Sequence, residues 1–159
     1  VDILTSSDGT SWTSRTSAVQ REMYEVKYLN NTFVAVGENE EIQTSTDGAS
    51  WTLRSHDNST LCGLSTCWLS GIAYGNNLYV VMGSGGIIFT SSDAITWNLI
   101  AGTTKTIESV IYAENKFFAV GAYLGQNTSP NIQTSSNGTD WTLINSEIGN
   151  RLYGITFKK

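Results

Sequence analysis

The residues with the most reactive side chains in this sequence lie between positions 56 and 68. Cys62 and Cys67 flank four residues in the stretch CGLSTC, and His56 and Asp57 come shortly before them. A cysteine pair could bind a metal or do redox chemistry, but a zinc site needs four ligands at recognised spacings, and His56 is the only histidine. We therefore favour a disulfide that pins a surface loop, and we predict no metal site and no cofactor.

Trp68 follows this loop directly and is the only tryptophan outside a repeated motif introduced below. A loop held by a disulfide could present this ring for stacking on a sugar or for anchoring a protein partner. The alternative is that Trp68 only covers the end of a strand, and the sequence leaves both open. Further candidate ligand-binding residues lie on other long loops: Arg21, His56, Asp57, Tyr123 and Arg151.

Composition excludes several classes of function. The 159 residues are 40% apolar and only 14% charged, with a net charge of -5. Such a chain is long enough for one compact domain with a real core. It has no basic stripe for a nucleic acid and no apolar run long enough to cross a membrane. It opens at Val1 without a signal-peptide pattern or initiator methionine, which predicts a mature product or a processed piece.

A nine-residue motif, here called the box, occurs four times. It reads TSSDGTSWT at 5, TSTDGASWT at 44, TSSDAITWN at 90 and TSSNGTDWT at 134, and its tryptophans are 39, 46 and 44 residues apart. Such a period is typical of propeller blades. The box residues are Ser6, Asp8, Gly9 and Trp12, then Ser45, Asp47, Gly48 and Trp51, then Ser91, Asp93 and Trp97, and finally Ser135, Asn137, Gly138 and Trp141.

The segments around each box predict four strands per repeat, here called a, b, c and d. An alternating strand, a tight turn and a second apolar strand ending in glycine form a hairpin, as in IAYGNNLYVVMG at 72. One strand then precedes the box and another follows it. Repeated four-stranded units without helical periodicity predict an all-β fold, a β-propeller of four-stranded antiparallel blades. The predicted repeats are 1–22, 23–68, 69–106 and 107–150, followed by a final strand at 151–157.

The box is predicted to form the turn between strands c and d. Its Asp accepts backbone hydrogen bonds, its Gly permits a positive φ, and its Ser caps the remaining groups. Its Trp is expected to pack between neighbouring blades. These are structural duties, and each copy is locally self-sufficient, so we do not interpret the four acidic-type residues as calcium or catalytic sites.

The box resembles the Asp-box of sialidase-type BNR repeats, although it is one residue shorter between Asp and Trp. The whole chain is similar to propeller repeats of bacterial and phage surface proteins. For a sialidase, the resemblance would imply an arginine triad, a Tyr–Glu pair and a further acidic residue. Only four arginines occur, and Asp57 with Glu38 or Glu40 is the only apparent pairing of carboxylates.

One blade is predicted to be incomplete, because the N-terminus supplies strands c and d and the C-terminus supplies only strand a. The missing strand b leaves unpaired edges, which proteins avoid. The chain could be part of a longer propeller, copies could associate, or a partner strand could fill the gap. A monomeric ring with one three-stranded blade is a further alternative. We favour a homo-oligomer or a larger assembly.

The absence of a catalytic constellation predicts a non-enzymatic recognition or assembly module that binds protein or glycan. The location predicted for such a module is extracellular, at a cell surface or at a virion surface. No nucleic-acid binding and no membrane insertion are predicted. The alternatives are a sialidase-like glycoside hydrolase and a purely structural repeat.

Overall fold

The computed structural model describes residues 2–54, 56, 67–100, 105–123, 126–144 and 150–158, with 123 and 126–131 as backbone only. Regular structure in this part of the chain is β-strand, apart from a 3-10 turn at Ser84–Gly86. It holds no helix long and apolar enough to cross a membrane. The strands are β1 (Asp2–Thr5), β2 (Thr13–Thr16), β3 (Met23–Leu29), β4 (Thr32–Gly37), β5 (Ile42–Ser45), β6 (Thr52–Arg54), β7 (Leu69–Gly75), β8 (Leu78–Gly83), β9 (Ile88–Ser91), β10 (Asn98–Ile100), β11 (Lys105–Ala113), β12 (Lys116–Tyr123), β13 (Gln126–Ser135) and β14 (Thr142–Ile144).

Twelve of these strands form three antiparallel meanders, which confirms the predicted all-β fold of four-stranded blades. The sheets contain β3–β6, β7–β10 and β11–β14, each with its strands in chain order. Strands a and b of each sheet are joined by two residues with positive φ: Asn30 and Asn31, Asn76 and Asn77, Glu114 and Asn115. Two consecutive positive φ values fit the tight hairpin turn that suits the twist of β-strands.

The two ends of the chain differ from these three sheets. The N-terminal sheet has only β1 and β2, which correspond to strands c and d. The predicted final strand at 151–157 is not formed, and no strand is assigned anywhere in 150–158. This segment lies beside the preceding sheet, where Leu152 N donates to Gly121 O at 3.2 Å. A strand needs a paired neighbour, and strand b of this blade is missing from the chain.

The hydrophobic core lies between adjacent sheets. One cluster joins Val34, Val36 and Ile42 of the second sheet to Leu69, Tyr79 and Phe89 of the third. A second cluster joins β8 and β9 to β11 and β12. The second, third and fourth sheets therefore bury apolar side chains against one another, as expected for stacked layers.

Polar contacts between the a strands reinforce this packing. Lys27 Nζ donates to Ile72 O at 2.7 Å, and Ile72 N donates to a carboxylate oxygen of Glu25 at 2.6 Å. One sheet further on, Ser70 Oγ donates to Ile107 O at 2.6 Å. The N-terminal sheet is tied to the second sheet by the buried Gln43, whose side-chain oxygen accepts from Ala18 N at 2.9 Å. In these contacts each sheet binds its immediate neighbour.

The four boxes form the same turn between strands c and d. In the second, Ser50 N and Ala49 N each donate to Asp47 Oδ1 at 2.8 Å, and Gly48 N donates to Ser45 Oγ at 2.8 Å. Equivalent bonds surround Asp8, Asp93 and Asn137. The glycines of three boxes have φ between 73° and 78°, and in the third box Ala94 adopts 59°. The motif repeats because every blade closes with this turn.

The box tryptophans contact an aromatic residue of strand b in their own blade. The ring centroids are 6.3 Å apart for Trp51 and Phe33, 6.1 Å for Trp97 and Tyr79, and 6.3 Å for Trp141 and Phe117. Trp97 also belongs to the cluster between the second and third sheets. Trp12 differs, because its blade has no strand b, and 59% of its surface is exposed.

Acid stability provides a test of the box turns. Backbone donors Ser50 and Ala49 and the Ser45 hydroxyl lower the pKa of Asp47 from 3.8 to about 2. A carboxylate with a lowered pKa in the folded state stabilises the fold above its unfolded pKa, and this contribution is lost as pH falls through the folded value. Asn137 makes the same bonds without a charge. We expect Asp47→Asn to lower stability at pH 7, because the amide can keep the backbone hydrogen bonds but loses the charge that strengthens them.

In the same variant, the decrease in the free energy of unfolding between pH 4 and about 2 should be smaller than in the parent protein. Urea unfolding midpoints at pH 7, 4 and 2 measure this directly. The control is the same amide change at the exposed Asp2, outside any box. An Asp47→Asn variant that loses as much stability in acid as the parent protein would contradict the prediction.

Candidate active site

A cavity of about 460 Å³ lies among the a strands, at the end of the sheets opposite the box turns. Its lining residues are Tyr24, Trp68, Ser70 and Glu108. Tyr24, Ser70 and Glu108 occupy the same position of strand a in three consecutive blades, four residues before Tyr28, Tyr74 and Tyr112. The cavity therefore collects equivalent side chains from three sheets. Residue types at this position differ from blade to blade, so the cavity is chemically asymmetric.

Glu108 is the carboxylate of this cavity, and only 14% of its side chain is exposed. It forms an ion pair with Arg151, whose Nε donates to Glu108 Oε1 at 3.0 Å and whose Nη2 contacts the same oxygen. The Arg151 guanidinium also lies 5.2 Å from the centre of the Tyr153 ring. The segment after β14 thus brings a cation to the rim of the cavity. A charge-assisted bond of this kind fixes the orientation of the carboxylate.

A second carboxylate, that of Glu38, is linked to the cavity by a hydrogen bond with Tyr24. The Tyr24 hydroxyl donates to Glu38 Oε1 over 3.5 Å. Burial raises the pKa of Tyr24, and the negative charges of Glu38 and Glu22 raise it further. These effects keep the phenol protonated, so Tyr24 acts as a hydrogen-bond donor. Glu38 also forms an isolated antiparallel bridge with Trp68, which holds it beside the cavity wall.

The backbone of Trp68 is fixed by the 3-10 turn that follows β8. Trp68 N donates to Ser84 Oγ at 2.9 Å, and Ser84 N donates to Trp68 O at 2.9 Å. Gly83 lies so close that a Cβ atom there would overlap the Trp68 carbonyl oxygen. Gly37 approaches the carbonyl oxygen of Glu22, just before β3, and Gly121 approaches that of Thr106, near the start of β11, in the same way. A glycine at this position of each strand b is therefore required by close backbone approach.

Arg21 and His56, two predicted ligand-binding residues whose side chains are described, are not among the lining residues of this cavity. Arg21 pairs with Glu41 at 3.4 Å, and its guanidinium also faces the side-chain oxygen of Asn39. His56 stacks on Phe89, with ring centroids 4.6 Å apart, and bridges to Trp97. Of the six predicted residues, Trp68 lines the cavity and Arg151 reaches it through Glu108.

Several predicted residues lie outside the described part of the chain. Asp57 and Cys62 are among them, and Tyr123 is described only as backbone, paired with Lys105 and Gln126. Cys67 is buried in the cluster between the second and third sheets. The Cys62–Cys67 disulfide stays a prediction. Within the described residues, no group of three or more His, Cys, Asp or Glu side chains is arranged to hold a metal ion.

Tyr24, Ser70 and Glu108 were not among the predicted site residues. The signal that could have identified them is the alignment of the a strands, which puts them in one column with Tyr153 of the last segment. Residues that align in this way lie at the same level of the innermost strands. A polar or aromatic residue at that level of an otherwise apolar strand indicates that the residue lines a cavity.

Comparisons with known proteins identify the fold. No protein-family model and no curated protein sequence matches the chain. Among solved structures, it is similar to an alpha-L-arabinofuranosidase from Clostridium thermocellum, with a TM-score of 0.56 and 12% identity over 92% of this chain and 61% of that one. It is also similar to an alpha-L-arabinanase from Penicillium chrysogenum complexed with arabinobiose, with a TM-score of 0.54 and 14% identity over 96% and 57%.

The fold is a β-propeller. Three four-stranded blades and one incomplete blade form the described chain, as predicted. At 12–14% identity the likeness extends to the fold alone, and this chain spans about three fifths of the length of the two structures. The predicted non-enzymatic module without a catalytic function is wrong on this finding. Both propellers are glycoside hydrolases, so the missing sialidase motifs do not argue against an enzyme.

Proposed function

We propose that this propeller acts as a glycoside hydrolase domain that binds a sugar in the cavity between the a strands. The observation that carries the proposal is the combination in one cavity of two aromatic rings, Tyr24 and Trp68, with the ion-paired carboxylate of Glu108. Aromatic faces pack on the apolar faces of sugar rings, and carboxylates act on the glycosidic bond. The similarity to two propeller glycosidases supports this assignment.

Hydrolysis of a glycoside requires two carboxyl groups on opposite sides of the scissile bond. We assign Glu108 the stabilisation of the positive charge that develops on the sugar, because Arg151 holds it in one orientation. Glu38, beside the Tyr24 phenol at the cavity wall, is the candidate general acid in its protonated form. In this scheme Glu38 gives its proton to the leaving oxygen as the glycosidic C–O bond breaks. Water then adds to the sugar carbon and gives its proton to Glu108, and exchange with solvent restores both carboxyl groups.

A neutral sugar fits this cavity better than a sialic acid does. Sialic acid carries a carboxylate, and a site for it needs cationic side chains free to bind that group. Each of the four arginines already has a partner in the protein: Arg15 contacts Thr5, Arg54 contacts Thr44, Arg21 pairs with Glu41, and Arg151 pairs with Glu108. The two similar enzymes are named for action on arabinose-containing substrates, and we propose pentose-containing glycans as the first class to test.

We further propose that the boxes belong to the Asp-box class of repeats, and that the protein acts outside the cell. Four turns closed by equivalent serine and Asp or Asn hydrogen bonds support the first point. Low charge and a predicted disulfide support the second. Self-association to a homo-oligomer is an additional proposal, which light scattering on the intact chain tests.

A panel of substrates tests the proposed function. We expect hydrolysis of aryl arabinofuranosides or arabino-oligosaccharides, and lower affinity for the same sugars after Trp68→Ala. A stacking contact is worth about 1 kcal/mol, so the affinity should fall about fivefold or more. Trp12→Ala is the matched control, because Trp12 lies in the N-terminal sheet, away from the cavity. A protein that neither binds nor cleaves any sugar in the panel would contradict the proposal and favour a structural repeat.

A further inference from the structure

The N-terminal sheet presents an open strand edge and apolar side chains to solvent. β1 pairs with β2 on one side only in the described structure. Beside its free edge lies a cleft of about 240 Å³, lined by Asp2, Ile3 and Leu4 of β1 and by residues 23–26 of β3. More than half of the Leu4 and Val26 side chains is exposed, as is that of Trp12. An open apolar edge of this kind is a template for another strand.

The three complete blades show what covers the equivalent edge. There strand c pairs with strand b in one register: Phe33 opposite Ser45, Tyr79 opposite Ser91, and Phe117 opposite Ser135. The serine is the box serine, which corresponds to Ser6 in the N-terminal sheet. The aromatic residue contacts the box tryptophan of the same blade. Trp12 is the one box tryptophan without such a contact among these four turns.

We propose that the edge of β1 binds an extended segment of strand-b type, supplied by polypeptide outside residues 1–159. The segment pairs antiparallel with β1 and sets an aromatic residue opposite Ser6 and against Trp12. Three apolar residues follow, opposite Thr5, Leu4 and Ile3, and a glycine comes next. This order is shared by FVAVG at 33, YVVMG at 79 and FFAVG at 117. Main-chain hydrogen bonds give affinity, and the aromatic residue gives specificity.

Other segments of the chain do not fit this position. β4, β8 and β12 each pair on both edges within their own sheets, so a second copy has no free strand b among the described residues. Neither aromatic residue of the 151–157 segment, Tyr153 or Phe157, is followed by three apolar residues and a glycine, and Leu152 of this segment bonds to Gly121 near the cavity. None of the residues 150–158 lines the cleft beside β1. The proposal is independent of the proposed glycosidase activity.

A synthetic peptide tests the proposal on the intact chain. The probe is NTFVAVGE, residues 31–38 with blocked ends, titrated while tryptophan fluorescence is followed. We expect a saturable blue shift, because docking transfers Trp12 out of water, and we expect the shift to vanish in Trp12→Phe. The matched control peptide NTAVAVGE should bind about tenfold more weakly, since it lacks the aromatic contact and its buried area.

Hydrogen exchange locates the bound peptide. Protection should increase at the backbone amides of β1 that face the cleft and should not change in β5, the equivalent strand of the second sheet. Absence of a saturable shift, equal binding of the two peptides, or protection outside β1 would each overturn the proposal. So would β1 amides that are already protected in a self-associated form of the free chain, since a second copy would then occupy the edge.

Discussion

Replacement of Glu108 by glutamine is expected to lower kcat for glycoside hydrolysis by about 10²- to 10⁴-fold, the usual contribution of a group that stabilises charge or transfers a proton. The amide keeps the shape of the side chain and can still accept a hydrogen bond from Arg151. It loses the negative charge that faces the sugar. Because the pair with Arg151 is at the cavity rim, the fold should survive. Kinetics on the arabinose-containing panel and a thermal melt measure both effects.

The matched control for this substitution is Glu114→Gln in the same blade. Glu114 lies in the turn between β11 and β12, at the far end of the sheet, and its side chain is exposed. It should retain full activity and an unchanged melting temperature. If Glu108→Gln retains activity within about threefold of the parent protein, Glu108 is not a catalytic residue. If both variants lose activity equally, the loss has no link to the cavity.

Trp97→Ala is expected to reduce the free energy of unfolding by about 3–5 kcal/mol, as is typical for large-to-small changes in a core. Only 1% of Trp97 is exposed, and the side chain joins the second and third sheets through the first core cluster. Its Nε1 has no hydrogen-bond partner in the described structure, so the loss comes from packing alone. Urea unfolding followed by circular dichroism gives the value.

Trp12→Ala provides an internal comparison, because Trp12 occupies the same position of the same motif. Because 59% of the Trp12 surface is exposed, the substitution should reduce the free energy of unfolding by about 0.5 kcal/mol or less. The contrast separates the tryptophan's role in packing from its role in the local turn. A similar loss in both variants would mean that the turn, and not the core, requires the ring.

Much of the fold follows from the sequence because its signals are local and repeated. The hairpins at Asn30–Asn31 and Asn76–Asn77 define strands a and b to the residue, since both turn positions need a positive φ. The ladder between strands c and d stops at the box, where the serine and aspartate hydrogen bonds replace it. The failure at 151–157 has the opposite cause. That segment has the sequence of a strand but no neighbour to pair with.

The site was less accessible to prediction because its parts come from different repeats. Glu108 and Arg151 are 43 residues apart. Glu38 links Tyr24 to Trp68, because it accepts a hydrogen bond from Tyr24 and forms a β-bridge with Trp68. No short sequence motif contains such contacts, and the sequence pattern favoured residues on long loops as the candidate site. Arg21 and His56, chosen from those loops, are engaged with Glu41 and Phe89 instead. The a strands supply the cavity, since equivalent positions near their starts converge there from three blades.

The hydrogen bonds between successive a strands have a consequence for how the protein opens. Lys27 reaches Ile72 in the next sheet, and Ser70 reaches Ile107 in the one after. Couplings between nearest neighbours make a sheet stack behave as a linear chain of units, in which a domain boundary moves step by step. The N-terminal sheet has a neighbour on one side only in this stack. The second and third sheets each have neighbours on both sides, so we expect amide exchange to be fastest in the N-terminal sheet and slowest in these two.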